Sequence, residues 1–232
     1  PVFDDVLLWT GARKSVWLVG PAGTGKTHLA GQVAKALNLP FYFCGALRDA
    51  HQVKGYMDVN SNYRPTEFFK AYTEGGVFLG DEQDAWEADA LITLNGLLAG
   101  NLGDFPHGTF ERHPNFVYIG AANTYGKGAD RQYVARMQQD EATLDRFAFL
   151  EMGYDEELER DLAGNDEWVA HVQKIRAAVE RLKIRHIVSM RASIDGAKGL
   201  AAGITREKVE QSIIWKQLDP AEINKIKNEA GI

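Results

Sequence analysis

The chain has 232 residues, 45% of them hydrophobic, which is enough for one large domain or for a core domain with a small satellite. Its net charge of -6 argues against a protein that coats nucleic acid through bulk charge, and its single cysteine excludes an intramolecular disulfide and suits the reducing cytoplasm. No apolar run reaches bilayer-spanning length and no signal peptide opens the chain; because it begins at Pro1 rather than Met, sequence upstream is expected.

In chain order, residues 15–20 (SVWLVG) form a short, β-branched, apolar strand. Residues 26–39 follow at helical spacing through Leu29, Val33, Ala34 and Leu37. Residues 40–47 are a second strand, in which Cys44 is expected as a buried small apolar side chain rather than a catalytic thiol. A short helix over 65–76 ends in glycines, and residues 76–84 (GVFLGDEQD) form a third strand with carboxylates at its end. Residues 87–101 read as a helix, 115–124 (NFVYIGAANT) as a fourth strand and 147–154 (FAFLEMGY) as a fifth.

Strands that are apolar along their whole length are covered on both faces, and their alternation with helices predicts a doubly wound parallel α/β sheet. After Tyr154 the strand signal stops, and 155–184, 189–204, 205–218 and 219–231 all read as helices. The expected division is an α/β core over 1–155 and a small all-helical unit over 156–232.

Residues 20–27 (GPAGTGKT) fit the phosphate-binding pattern G-x-x-x-x-G-K-[ST], between a predicted strand and a predicted helix. Gly20, Gly23 and Gly25 let the backbone curl with its N–H groups inward, and the helix opening at Lys26 adds the positive end of its dipole. Lys26 is expected to reach the β- and γ-phosphates and Thr27 to ligate Mg²⁺. Pro21, Ala22, Thr24 and His28 complete the expected nucleotide contacts. The strand ending in Asp81 and Glu82 supplies the two carboxylates that such a site needs. Asp81 is placed behind the metal and Glu82 on the attacking water, with Asp84 and Glu87 as solvated neighbours.

The P-loop, the strand ending in DE, the strand ending in AAN and the later LDRF together resemble an AAA+ ATPase. LNGLLAG (94–100), FVYIGAANT, ATLDRF (142–147) and SMRA (189–192) are similar to the MoxR and cobaltochelatase CobS-like group. The resemblance implies an AAA+ core with a helical lid that binds and hydrolyses ATP with Mg²⁺. It implies Asn123 as the sensor 1 residue beside the γ-phosphate and Arg191 as the sensor 2 arginine of the lid.

The resemblance further implies Arg146 as an arginine finger serving a neighbour's site, with Arg131 and Arg136 as competitors. A surface pair of Asp145 with Arg146 is the local alternative, although adjacent helical residues do not face one another. The subunits would form a ring, most readily a hexamer, that remodels a protein client. Residues 3–14 would contribute to the adenine pocket. Two segments, 54–65 with Tyr56 and Tyr63 and 102–114 with Phe105 and Phe110, would present exposed aromatics to a central pore; the alternative is ordinary hairpins whose aromatics pack across strands. The six histidines form no metal-binding pattern. Two rival functions remain: a nucleic-acid motor, and an ATP-dependent assembly scaffold with little turnover.

Overall fold

The computed structural model describes residues 2–129 and 131–232; Pro1 and Asp130 lie outside the described residues. Five strands form one parallel sheet: β1 (Val16–Val19), β2 (Phe41–Cys44), β5 (Gly76–Gly80), β8 (Phe116–Ala122) and β9 (Ala148–Glu151), in the order β2-β5-β8-β1-β9. β8 runs between β5 and β1, with Gly80 opposite Gly120 on one side and Val19 opposite Ala122 on the other. The three strands that lead into the P-loop, the Asp81–Glu82 pair and Asn123 are therefore side by side.

The central strands β1, β5 and β8 are buried at every residue, as continuous apolar runs require when helices cover both faces. Val16 and Leu18 face one layer with Leu29, Val33, Val77, Leu79, Val117 and Ile119. This layer is covered by α1 (Val2–Gly11) and α2 (Lys26–Ala36). Trp17 and Val19 face the other layer with Phe68, Tyr72, Phe78, Trp86, Leu94 and Tyr118. Helices α3 (Ala50–Lys54), α4 (Glu67–Glu74) and α5 (Ala88–Ala99) lie on that side. The two edge strands differ from expectation. β2 and β9 alternate in exposure, and Phe41 and Phe43 stand 39% and 46% exposed, because a strand at the sheet margin has one covered face.

Two small antiparallel hairpins interrupt the core: β3 (Tyr56–Met57) with β4 (Tyr63–Arg64), and β6 (Leu102–Phe105) with β7 (Gly108–Glu111). Their aromatics correct the pore-facing expectation in part. Phe105 is buried, and Phe110 packs edge-to-face on Phe69. Tyr63 stacks on His107 at 3.6 Å and donates to the Lys54 carbonyl at 2.6 Å. Tyr56 alone of the four is exposed. Cross-strand and strand-to-helix packing holds the other three. A short helix, α6 (Glu141–Leu144), leads into β9.

The second unit consists of residues 21–24 and 153–232. Its helices are α7 (Glu156–Ala163), α8 (Asp166–Arg181), α9 (Met190–Ala201), α10 (Arg206–Val209) and α11 (Pro220–Ala230). The continuous helix expected over 155–184 is two. Gly164 adopts a left-handed conformation that closes α7, and the Asn165 side chain then caps α8 by accepting from Trp168 N. The helix expected over 205–218 is also broken, passing from α10 into a π-turn at Glu210–Ile214. Trp168, Val172, Ile175, Val188, Ile214 and Ile226 form the unit's own core.

Candidate functional site

The phosphate loop leaves β1 at its C-terminal end. A Cβ on Gly20 would stand 2.1 Å from the Met152 carbonyl oxygen, so only glycine fits there. Gly25 precedes α2 at φ 92°, a left-handed turn that aims the helix N-terminus into the loop. Lys26, the first residue of α2, is buried, and its Nζ donates to the Gly20 carbonyl at 2.7 Å and to Asn123 Oδ1 at 3.1 Å. Next to it the Thr27 hydroxyl donates to Asp81 Oδ2 at 3.0 Å. His28 lies one residue further, on exposed helix surface, with its ring nitrogen 2.8 Å from the Gln32 amide.

Asp81 follows the last residue of β5 and is anchored through its backbone: its N–H donates to the Cys44 carbonyl at 2.9 Å, and its carbonyl accepts from the Trp86 indole at 3.0 Å. Its other carboxylate oxygen accepts from Glu82 N at 2.9 Å. Glu82 is exposed and adopts φ 49°, ψ 37°, an unusual conformation for a non-glycine residue. Cys44 is half-buried, less enclosed than expected. Burial, and then the negative charge of Asp81, push its thiol up to about 12, so it is an inert side chain rather than a nucleophile.

Asn123 follows the last residue of β8 and so stands between the other two strand ends. Lys26, Thr27, Asp81, Glu82 and Asn123 thereby gather at the C-terminal ends of the three central strands. Oxygen donors from Thr27 and Asp81, 3.0 Å apart, suit a hard divalent cation that keeps waters and phosphate oxygens in its remaining positions. The buried Lys26 ammonium and the helix N-terminus suit phosphate.

Asp84 is the residue that the sequence reading misplaced. It is fully buried rather than solvated, and its Oδ2 accepts from Asn123 N at 3.1 Å, Thr124 N at 2.9 Å and the Thr124 hydroxyl at 2.9 Å. Arg136 Nε lies 3.1 Å from the same oxygen. Of the three candidate finger arginines, Arg136 is thus tied inside its own unit. Arg131 is exposed, and Arg146 is half-buried with its guanidinium on the Ala142 carbonyl, one turn back, and not on Asp145. No sequence signal marks Asp84, because a carboxylate two residues past the acidic pair looks like any solvated turn.

In the helical unit, the Tyr154 hydroxyl donates to the Ala22 carbonyl at 3.0 Å, and the Thr24 hydroxyl donates to the Pro21 carbonyl at 3.1 Å. The Arg176 guanidinium lies 4.2 Å from the Tyr154 ring centre and also pairs with the buried Glu159, which accepts from Ser193 as well. Arg191 sits exposed in the first turn of α9, which Ser189 caps.

Comparison with known proteins agrees with the fold. Solved structures of RuvB from Thermotoga maritima superimpose with TM-scores of 0.60 for a variant and 0.55 for the protein described as a Holliday junction branch migration motor. Both are 16% identical, with 94% of this chain and 69% of the other chain covered. An uncharacterized protein of Staphylococcus haemolyticus is 25% identical over 252 residues, covering 98% of this chain and 93% of the relative. One from Staphylococcus epidermidis is 26% identical over 253 residues, with the same coverage. The AAA domain family of the dynein-related subfamily matches residues 15–147, which run from β1 to the start of β9 and include the P-loop, the acidic pair and Asn123. With an α/β core of this order carrying that site, the chain belongs to the AAA domain family, dynein-related subfamily.

Proposed function

We propose that this protein is a Mg²⁺-dependent ATP hydrolase of the MoxR and CobS-like kind, working as a homo-oligomeric ring in the cytoplasm to remodel a protein client. The observation that carries the reading is the cluster of Lys26, Thr27, Asp81, Glu82 and Asn123, with Thr27 on Asp81 at 3.0 Å and Lys26 on Asn123 at 3.1 Å. In this reading residues 1–155 are the nucleotide-binding core and 156–232 the lid.

The backbone of residues 20–25 and Lys26 bind the phosphates, with Thr27 and His28 at the start of α2. Thr27 and Asp81 hold Mg²⁺, which when bound supplies positive charge to the phosphate oxygens. Glu82 orients the attacking water and takes its proton. Asn123 holds that water from the other side through its amide. Arg191 reports nucleotide from the lid, and Arg146 stabilises the transition state at a neighbouring subunit's site, a contribution of about a thousandfold or more in related chemistry.

The test separates binding from turnover. Lys26→Ala is expected to abolish binding of a fluorescent ATP analogue. Glu82→Gln is expected to bind it normally while hydrolysis falls by about a hundredfold or more. Normal turnover in the Gln variant overturns the role given to Glu82.

A second reading, a nucleic-acid motor, is favoured by the likeness to RuvB, whose description names branch migration. The chain's acidic balance weighs against it. Stimulation of ATPase activity by DNA at moderate salt would select it over a protein client. A nucleotide-dependent scaffold would show no turnover at concentrations where rings are present.

A further inference from the structure

We infer that Asp84 is a positioning residue for Asn123, with Arg136 as its charge partner; the kinetic part of this inference rests on the ATP-hydrolase reading. Asp84 lies on the 3-10 turn Gln83–Ala85 that follows Glu82. Its side chain has no exposed surface, yet one oxygen collects three hydrogen bonds and the guanidinium of Arg136, whose side chain is itself 13% exposed. Its backbone carbonyl also accepts from Met137 N at 2.7 Å. One buried residue thus ties together the end of β8 and the segment leading into α6.

Burying a carboxylate costs more than burying an apolar residue of similar size, even when it is paired. What the carboxylate provides is geometry. The ladder of β8 ends at Ala122, and the next two N–H groups, of Asn123 and Thr124, both turn onto Asp84 Oδ2. Fixing those two groups fixes the peptide planes on either side of the Asn123 Cα, and hence the direction in which its side chain leaves the backbone. From there only two side-chain torsions separate Asn123 from its place beside Lys26 Nζ. Asp84 holds the backbone of Asn123 and not its side chain, so in the proposed reading it acts through Asn123 rather than on the reacting groups.

A double-mutant cycle on turnover distinguishes positioning from general structural support. Asp84→Asn is expected to lower kcat by about 10- to 100-fold, with KM within about threefold of wild type, because a charged hydrogen-bond hub is lost while the phosphate loop is intact. In an Asn123→Ala background the same substitution should cost less than about threefold. Equal losses in both backgrounds overturn the inference.

Thr124→Val removes one donor without unpairing the buried charge, and carries the cycle if Asp84→Asn does not fold. It should lower kcat only where Asn123 is present, and an equal loss in both backgrounds would again count against the inference. Hydrogen exchange without nucleotide gives a readout independent of catalysis: amides in 121–127 should exchange faster in either variant than in wild type. Unchanged exchange there overturns the anchoring even if wild type proves to have no ATPase activity, an outcome that would by itself sink only the hydrolase reading.

Discussion

Glu82 combines a proposed catalytic carboxylate with a left-handed backbone, and the two have opposite consequences. A Cβ in that region costs about 1–2 kcal/mol relative to the ordinary helical conformation. Glycine carries no such penalty, but it gives up part of that advantage by freeing the unfolded chain. Glu82→Gly is therefore expected to leave thermal stability equal to wild type or raised by about 1 kcal/mol while abolishing turnover. A melting temperature several degrees below wild type would show that the side chain supports the fold, contrary to its exposed position. The acidic pair itself was legible from sequence because the chemistry demands two adjacent carboxylates at the end of an apolar strand. Asp84, two residues on, was not: what distinguishes it is the set of partners arriving from residues 123, 124 and 136, and none of these is near it in sequence.

Among the elements, α7, α8 and α9 are joined by one buried acid. Glu159 on α7 takes hydrogen bonds from Arg176 on α8 and Ser193 on α9, and Gln173 adds a third partner. Burial alone would raise its carboxyl, but Arg176, Ser193 and Gln173 outweigh burial and hold it below the usual carboxylate range. A carboxyl depressed in the folded state stabilises the fold above its unfolded value, near 4.3, and that stabilisation is lost as the pH falls through the folded value. Glu159→Gln is expected to cost about 3–5 kcal/mol at pH 7, since it leaves the Arg176 charge without its partner. The gap between wild type and variant in urea unfolding should narrow below about pH 5. A gap that stays constant down to pH 3.5 would mean that Glu159 does not carry this linkage. The five strands were readable because each is a short apolar run between turn residues. The exposed faces of β2 and β9 were not, because strand order, and hence edge position, is absent from a local pattern. The five-residue α3 is too short to show a helical period at all, and the break at Gly164 and Asn165 was hidden by helix-forming residues on both sides.

For the molecule as a whole, the position of Arg146 makes activity a property of the assembly in the proposed reading. Its guanidinium rests on the preceding turn of its own chain rather than in the cluster around Lys26. Arg146→Ala and Glu82→Gln subunits, each inactive alone, should regain part of the wild-type rate when mixed, because some interfaces then pair an intact site with an intact finger. No recovery in rings shown to contain both subunits would remove the trans assignment. The strand order has a further consequence for how such a subunit comes into being. β1 and β5 never touch; β8, made about forty residues after β5 and nearly a hundred after β1, is the strand that lies between them. A nascent chain that has emerged only as far as the second hairpin already carries its P-loop and both carboxylates, yet holds them on an unpaired β1 and a β2-β5 pair with open, aggregation-prone edges. In the proposed reading, the P-loop and the two carboxylates are brought into one sheet only once the chain has been made past residue 123.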